Sequence, residues 1–503
     1  MKKGFDNEKY LKEQTVAILE KVQQFNDKLY LEFGGKLLHD YHAARVLPGF
    51  DPNVKMRLLQ KLKDKINVIL CIYAGDIERK KIRADFGITY DADALKTIDD
   101  CKEWGIEIDA VVITRYENQP SSKSFKNKLE RRGVKVYTHK FTKGYPTDVD
   151  LIVSDEGYGA NEIIETDKPI VIVTGPGPGS GKLATCLSQL YHEYKNGINA
   201  GYAKFETFPI WNLPLDNKVN VAYEAATVDL KDVNMIDHYH LNAYNIKTVN
   251  YNRDIEAFPL LKRIIEKITG KPCVYQSPTD MGVNRAGSGI IDHDFVQQAA
   301  HQEIIQRYFR CACEYAMGIV EKDILVRSEL IMNNIGAKVE DRLAVKPARQ
   351  AALDAQEKGK GSEGIFCGAA IQLEDGTIIT GHNTPLLHAA SSLILNATKH
   401  LAGLPKKLHL LPQNIIDSVT FLKKEILKGK KVSLDLEETL IALSISAISN
   451  PAAQLAMEHL VQLEGCDVHM THIPTPGDEA GLRKLGVHLT SDPNFSSKGL
   501  FLK

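Results

Sequence analysis

Lys182 is the residue around which chemistry gathers in this sequence. It closes the stretch TGPGPGSGK at 174–182, which supplies Gly175, Gly177, Gly179, Ser180 and Gly181 immediately before it. Residues 169–173, Pro-Ile-Val-Ile-Val, are apolar and β-branched, as a strand buried on both faces would be. Leu183, Leu187, Leu190 and Tyr194 recur at helical spacing, so a helix opens near Gly181. A strand, a glycine-rich turn and a helix N-terminus present free backbone N–H groups and a positive dipole end to an anion. The pattern departs from G-x4-G-K-[ST] in two places. Five residues separate Gly175 from Gly181, and Leu183 stands where a magnesium-binding hydroxyl would be. Ser180 or Thr185 could supply that hydroxyl. Phosphate or nucleotide binding is the chemistry expected, against a glycine turn that only joins strand to helix.

A second concentration of polar residues runs through 212–240, a segment that reads as loop-rich. Asn212, Asp216, Asn220, Glu224, Asp229, Asp232, Asn234, Asp237, His238 and His240 suit a magnesium–phosphate site, because hard cations take oxygen ligands. Asp229, Asp232, Asp237 and His238 are the catalytic candidates, holding magnesium or acting as base. His238 and His240 are two apart and no H-E-x-x-H occurs, so no zinc is expected. His39, Asp40, His42 and Arg45 crowd into 36–51, as a solvated face or as a polar wall of the site. Asn284, Arg285 and Gly287 to Gly289 make a second anion-friendly loop.

The elements that must position these groups alternate from residue 66 onward. Strands are expected at 66–73, 109–114, 134–137, 151–154 and 169–173, with helices at 91–104 and 121–132 between them. That alternation implies a parallel sheet with helices on both faces, and loops gathered at the strands' carboxyl edge. The loops 74–83, 115–124 and 154–160 bring Asp76, Arg79, Arg83, Arg115, Asp155 and Glu156 to that edge, and the charged segment 75–85 belongs to it. A helix at 7–26, strands at 29–33 and 201–206 and a helix at 254–269 complete an N-terminal domain over 1–290. Helices dominate 291–358, and the glycine-lysine run at 358–362 reads as a linker. A C-terminal module over 359–503 has a hairpin at 365–380 turning on Glu374-Asp375-Gly376, helices at 387–402, 413–428 and 436–463, a strand at 466–473, a helix at 478–485 and a last strand at 487–490. The fold class is α/β: a doubly wound, mainly parallel sheet, a helical middle and a C-terminal α/β three-layer module.

Composition sets bounds. The 503 residues, 43 % hydrophobic and 25 % charged, are ordinary for a globular protein. A net charge of −1 argues against nucleic acid as a main partner. No apolar run reaches the length of a membrane span, and MKKGFDNEKYLKEQ lacks the apolar core of a secretory signal. The eight cysteines include no C-x-x-C, which fits reduced thiols in a cytosol. Residues 434–463 carry Leu434, Leu436, Leu440, Ile441, Leu443, Ile445, Ile448, Leu455, Met457, Leu460 and Val461 with few charges, so self-association as a dimer or tetramer is expected, against burial inside the chain by residues 294–357.

The stretches VTGPGPGSGKLATCLSQLYHE from Val173, YEAATVDLKDVNMID from Tyr223 and SPTDMGVNRAG from Ser277 resemble those of an uncharacterised bacterial protein family of about this length, a DUF/UPF family of unknown function. Some of its members carry a label of ATP-dependent peptidase; no motif in this sequence supports peptidase chemistry. The segment from Gly368 to Leu401 resembles the cytidine-deaminase fold, its hairpin followed by a helix at His388-Ala389-Ala390. Alanine stands where that chemistry needs glutamate, and no P-C-x-x-C follows, so the zinc reaction is not implied. A zinc-free formyl-transfer domain of the same fold makes His388, Lys399, His382 and Asn383 the residues of interest.

Together these readings describe a cytosolic metabolic enzyme, an NTP-dependent transferase, kinase or ligase. It would bind ATP, another nucleotide or a phosphorylated small molecule, with magnesium, through Gly175, Gly177, Gly179, Ser180, Gly181, Lys182 and Thr185. Two alternatives stand beside it: a nucleotide or anion sensor or assembly protein without turnover, and a group transferase with its site in the C-terminal module.

Overall fold

The computed structural model describes residues 3–25, 27–83, 86–429 and 432–497; residues 84 and 85, the end of the charged segment 75–85, lie outside the described residues, as do the first two. The chain forms two compact units, Met1–His301 and Gln302–Lys503.

The first unit is built on six strands: β1 (Lys28–Phe33), β2 (Ile66–Tyr73), β3 (Ala110–Thr114), β4 (Val136–His139), β5 (Ile170–Thr174) and β6 (Ala200–Phe205). They lie in the order β4-β3-β2-β5-β1-β6, every neighbouring pair parallel. Successive side chains of a strand point to opposite faces, and both faces here are buried. Ile69, Cys71, Val171 and Val173 pack with Cys186, Leu187 and Leu190 of the helix Lys182–Lys195 and with Phe258 and Ile264 of a later helix. Leu70, Ile72, Val111 and Ile113 pack instead with Tyr90, Ala94, Phe125 and Leu129. The helices concerned are α2 (Tyr90–Glu103) and α3 (Pro120–Glu130) on one face, α4 (Lys182–Lys195) and α7 (Asn252–Thr269) on the other. Between α4 and α7 come α5 (Lys218–Ala226), β7 (Asn234–Ile236), α6 (His238–Tyr244) and β8 (Val249–Tyr251), with β7 and β8 antiparallel. α1 (Asn7–Gln24) precedes the sheet, capped by Asp6.

Two expectations fail here. Residues 151–154 are not a strand: Val149–Ile152 is a short helix whose first turn is closed by Asp148 accepting from the Leu151 N–H. A run of three apolar residues fits a helical turn as well as a strand, and the cap decides. Asp155 consequently lies on the surface, bonded to Tyr191 and Lys195 of α4 rather than placed at a strand end. Residues 212–240 are not mainly loop either, because α5 buries Val219, Asn220, Ala222 and Ala225.

In the second unit, helix α8 (Val345–Glu357) packs on the hairpin β9 (Gly368–Gln372) and β10 (Ile378–His382). Gly368 is where α8 comes closest: a Cβ there would lie 2.7 Å from the Ala352 N. Helices α9 (Ala389–Leu401), α10 (Leu436–Ala447) and α11 (Pro451–Glu458) follow, then β11 (Asp467–Met470), α12 (Pro476–Lys484) and β12 (His488–Ser491). The sheet order is β10-β9-β11-β12, with β9 antiparallel to both neighbours and β11 parallel to β12. The helix expected over 436–463 is broken between α10 and α11, because Asn450 caps a new helix and Pro451 takes its first position. α10 buries Leu436, Ala442 and Leu443, while Ile441, Ile445 and Ile448 stay exposed.

Candidate functional site

The sheet order reverses between β2 and β5: the chain runs outward from β2 through β3 to β4, then returns to β5 on β2's other side. Ligands of open parallel sheets bind in the crevice at such a point, outside the carboxyl ends of the strands. The glycine loop leaves the carboxyl end of β5, so the fold sets it there.

The loop's shape depends on its glycines. Gly181, the N-cap of α4, has φ +92°, and a Cβ there would come 2.6 Å from Thr114 Cγ2. A Cβ on Gly177 would lie 2.6 Å from the Tyr90 hydroxyl. Thr114 Oγ1 donates to the Ser180 carbonyl at 2.8 Å, and Arg115 donates to the Gly179 carbonyl, so β3 holds the loop from beside it. The Arg115 guanidinium lies on the Tyr73 ring, 3.4 Å from its centroid. Lys182 Nζ folds back across the loop to the Gly177 carbonyl at 3.3 Å. These bonds all engage carbonyls. Among the described residues, no hydrogen bond engages the amide N–H groups of Gly177, Gly179, Ser180, Gly181 or Lys182, and α4 has no side-chain cap.

The two candidate hydroxyls have different fates. Thr185 is fully buried and accepts from the Cys71 thiol at 3.4 Å, beneath the loop. Ser180 Oγ is buried with no hydrogen-bond partner among the described residues.

Charged residues surround this loop. After β2 come Asp76, bonded to Arg79, and Arg83, whose Nη1 is 2.7 Å from Asp93 Oδ1. Burial pushes the Tyr90 hydroxyl up to about 12, and the Asp76 and Asp229 carboxylates add to it, so Asp229 lies within electrostatic reach of Tyr90. On the other side, β1 and β6 contribute a buried cluster. Tyr202 donates to Glu32 at 2.7 Å, and Lys204 Nζ lies 2.6 Å from Asp254 and 3.2 Å from Glu206. Arg253 Nη1 is 3.5 Å from Asp232 Oδ1. Burial opposes the Lys204 ammonium, but the Asp254, Glu206 and Glu32 carboxylates outweigh it and hold its pKa above the ordinary lysine value. Burial likewise raises the carboxyl pKa values of Glu206 and Asp232, against the pull of Lys204 and Arg253 respectively. Cys71 and Cys186 lie between cluster and loop: burial pushes the Cys71 thiol up to about 12, and both thiols feel Lys182 and Glu32.

The four catalytic candidates fall into separate environments. Asp229 is exposed near Tyr90, and Asp232 joins the buried cluster. Asp237 is the cap of α6: it accepts from the His240 N–H at 3.0 Å and from Thr279 Oγ1 at 2.6 Å, so its oxygens hold secondary structure together. His238 is exposed against Tyr239. Asp40, from the crowded stretch 36–51, is buried and paired with Lys55 Nζ at 3.1 Å. The sequence reading missed Glu32, Lys204, Glu206, Arg253 and Asp254. Its one available signal was that Glu32, Lys204 and Glu206 sit at the carboxyl ends of strands it did assign. Among the described residues, no three His, Cys, Asp or Glu side chains form a metal-binding group, and no helix is long and apolar enough to cross a membrane.

The molecule is thus a two-unit α/β protein with a glycine loop at the switch point of a parallel six-stranded sheet. Residues 3–336 match the domain of unknown function DUF1846, N-terminal, and residues 340–501 match its C-terminal counterpart. A UPF0371 protein of Clostridium tetani (strain Massachusetts / E88) is 58 % identical over 501 residues, covering 100 % of this chain and 99 % of its own. One from Clostridium botulinum (strain Kyoto / Type A2) is equally similar over the same coverage. The chain belongs to the UPF0371 family, a bacterial family of unknown function.

Proposed function

We propose that this protein is an enzyme that holds a nucleotide or phosphorylated small molecule on the glycine loop and performs acid–base chemistry with the carboxylates of the same sheet edge. The observation that carries this reading is the row of loop amides left without internal partners at the start of a 14-residue helix, beside Lys182 and the buried, unpartnered Ser180 hydroxyl. Amides, dipole and lysine together favour a phosphate. Asp232 and Glu206, whose carboxyl pKa values burial raises, are the acid–base candidates. The oxygen donors Asp76 and Asp229 fit magnesium, which would rest on one or two carboxylates and the ligand's own phosphates and offset their charge.

The test is binding and turnover of ATP and GTP with magnesium by the purified chain. Lys182→Ala should weaken nucleotide binding about tenfold to a hundredfold, the worth of a charged hydrogen bond, and remove turnover. Binding without turnover would favour the sensor, and no binding in the wild type would reject the reading. For the second unit we propose a deaminase-like fold, supported by the antiparallel β9–β10 hairpin, the helix that opens directly after His388 and the parallel β11–β12 pair.

A further inference from the structure

The second unit brings together a histidine and a carboxylate that lie 90 residues apart in sequence. His388 Nδ1 is 2.8 Å from Asp478 Oδ2. That same carboxylate accepts from Thr475 Oγ1 at 2.8 Å through Oδ2 and from the Leu436 N–H at 3.0 Å through Oδ1. Asp478 is fully buried and fixed from several sides, and the His388 side chain is 21 % exposed. Among the described residues His388 Nε2 has no hydrogen-bond partner. A carboxylate that takes the Nδ1–H leaves Nε2 as the basic nitrogen, turned away from it.

Two further observations mark the place as a site. His388 is the N-cap of α9, yet its side chain caps nothing, and the amides of Ala389 and Ala390 are buried without a hydrogen-bond partner among the described residues. A buried helix N-terminus without acceptors is unusual. Beside the pair, His472 is buried and its Nδ1 is unpartnered among the described residues. Burial pulls its pKa down to about 4, Asp478 acts against that shift and His388 adds to it, so His472 lies within electrostatic reach of the pair. Asp435, the remaining titratable group that feels His388, caps α10.

We infer that His388 is the general base of a second site, positioned by Asp478, that activates water or a substrate hydroxyl for attack on the carbonyl of a small ester- or amide-type acyl donor. Nε2 takes the proton of the attacking O–H. The new C–O bond forms as the carbonyl π electrons move onto oxygen, and that oxyanion lies toward the amides of Ala389 and Ala390 at the positive end of α9. Collapse re-forms the C=O, and the leaving group departs with the proton from the imidazolium. Asp478 keeps its charge throughout and holds the ring, so it is a positioning residue. Lys399 takes no part: ten residues along α9 from Ala389 place it about 15 Å away, where its Nζ bonds to the Lys406 carbonyl. Asn383 is committed to the Cys367 amide and the Ile365 carbonyl.

The experiment uses the full chain and p-nitrophenyl acetate as the acyl donor. His388→Gln should lower hydrolysis by about a hundredfold, the usual worth of a general base. His400→Gln, a surface imidazole, should leave it unchanged. Asp478→Asn should lower the rate and move the pH profile, because the Nδ1–H loses its charged acceptor. A second measurement covers variants that fail to fold: diethyl pyrocarbonate added to the wild type, with the modified histidines mapped by mass spectrometry. Acylation of His388 at least as fast as that of the exposed His400 and His409 supports a free, basic Nε2. Equal hydrolysis by wild type and His388→Gln, or a His388 that stays unmodified while His400 and His409 react, overturns the inference.

Discussion

The two units solve the problem of holding a polar site in opposite ways. In the first, charge is dense and mutually neutralised: the buried Glu32 and Asp232 and the half-buried Lys204, Glu206 and Asp254 gather around the ends of β1 and β6, with the exposed Arg253 beside them. The groups left without partners around the loop, among the described residues, include the Ser180 hydroxyl and backbone amides, while the carbonyls of Gly177, Gly179 and Ser180 are occupied. In the second, the pairing at the site is simple, although Arg342, Asp467, Arg349 and Asp492 pair elsewhere in the unit: one carboxylate, Asp478, orients one imidazole, and a helix end supplies the field. The first arrangement suits a ligand that arrives highly charged, since the sheet edge offers many fixed opposite poles. The second suits a neutral ligand that becomes charged during reaction. A network of ion pairs is also hostage to each of its members, whereas Asp478 keeps the Thr475 hydroxyl and the Leu436 N–H when the part-exposed His388 is replaced.

The sharpest break of this contrast is Lys204→Met. It leaves Asp254 and Glu206 buried without their shared cation, and breaking a buried pair in this way costs about 3–5 kcal/mol. Urea unfolding should show a loss of that size in the first unit. His388→Gln in the second unit should cost less than half as much. Equal losses in the two would erase the distinction.

Acid sharpens it from the other side. His472 is held near pKa 4, against an ordinary 6.5, chiefly by burial. A depressed group contributes stability that is present above its unfolded pKa and is lost as pH falls toward the folded value. The window is therefore pH 6.5 down to 4, and the contribution at stake is of order 3 kcal/mol. Denaturation at pH 7 and pH 4.5 should show His472→Gln losing less stability on acidification than the wild type. A wild type and variant with the same pH slope would mean that His472 does not sense acid.

What the sequence revealed follows the same divide. The glycine loop and its flanking strand and helix were legible because their signals are local: β-branched residues, then glycines, then Leu183, Leu187 and Leu190 at helical spacing. The parallel sheet was legible from the alternation of such signals. The ion cluster was not, because Glu32 and Tyr202 are 170 residues apart and meet only through the β1–β6 pairing, while Lys204 on β6 and Asp254 at the start of α7 are 50 apart. His388 was noticed at a helix start, but its partner lies 90 residues on in a stretch read only as the start of a helix. Asp237 was singled out for its residue type, which is equally the type that caps helices, and a cap is what it forms.

The smallest expected change in stability accompanies the clearest expected change in mass. Leu434, Leu436 and Leu443 are fully buried, but Ile441 is 64 % exposed, Ile448 85 % and Val461 77 %. Among the described residues nothing covers these three side chains. Scattered apolar residues on a surface are ordinary, whereas Ile441, Ile445 and Ile448 fall at i, i+4 and i+7 and so share one stripe of the α10 region. We propose that a second copy of the chain covers this stripe, since self-complementary patches commonly close symmetric dimers. Replacing Ile445 and Ile448 with lysine should change unfolding stability by no more than about 0.5 kcal/mol per site in the monomer, as at other exposed positions. Light scattering at micromolar concentration should meanwhile drop from a dimer or tetramer mass to that of the 56.0 kDa chain. A wild type that already runs as a monomer there would reject self-association, and the stripe would then be ordinary exposed surface.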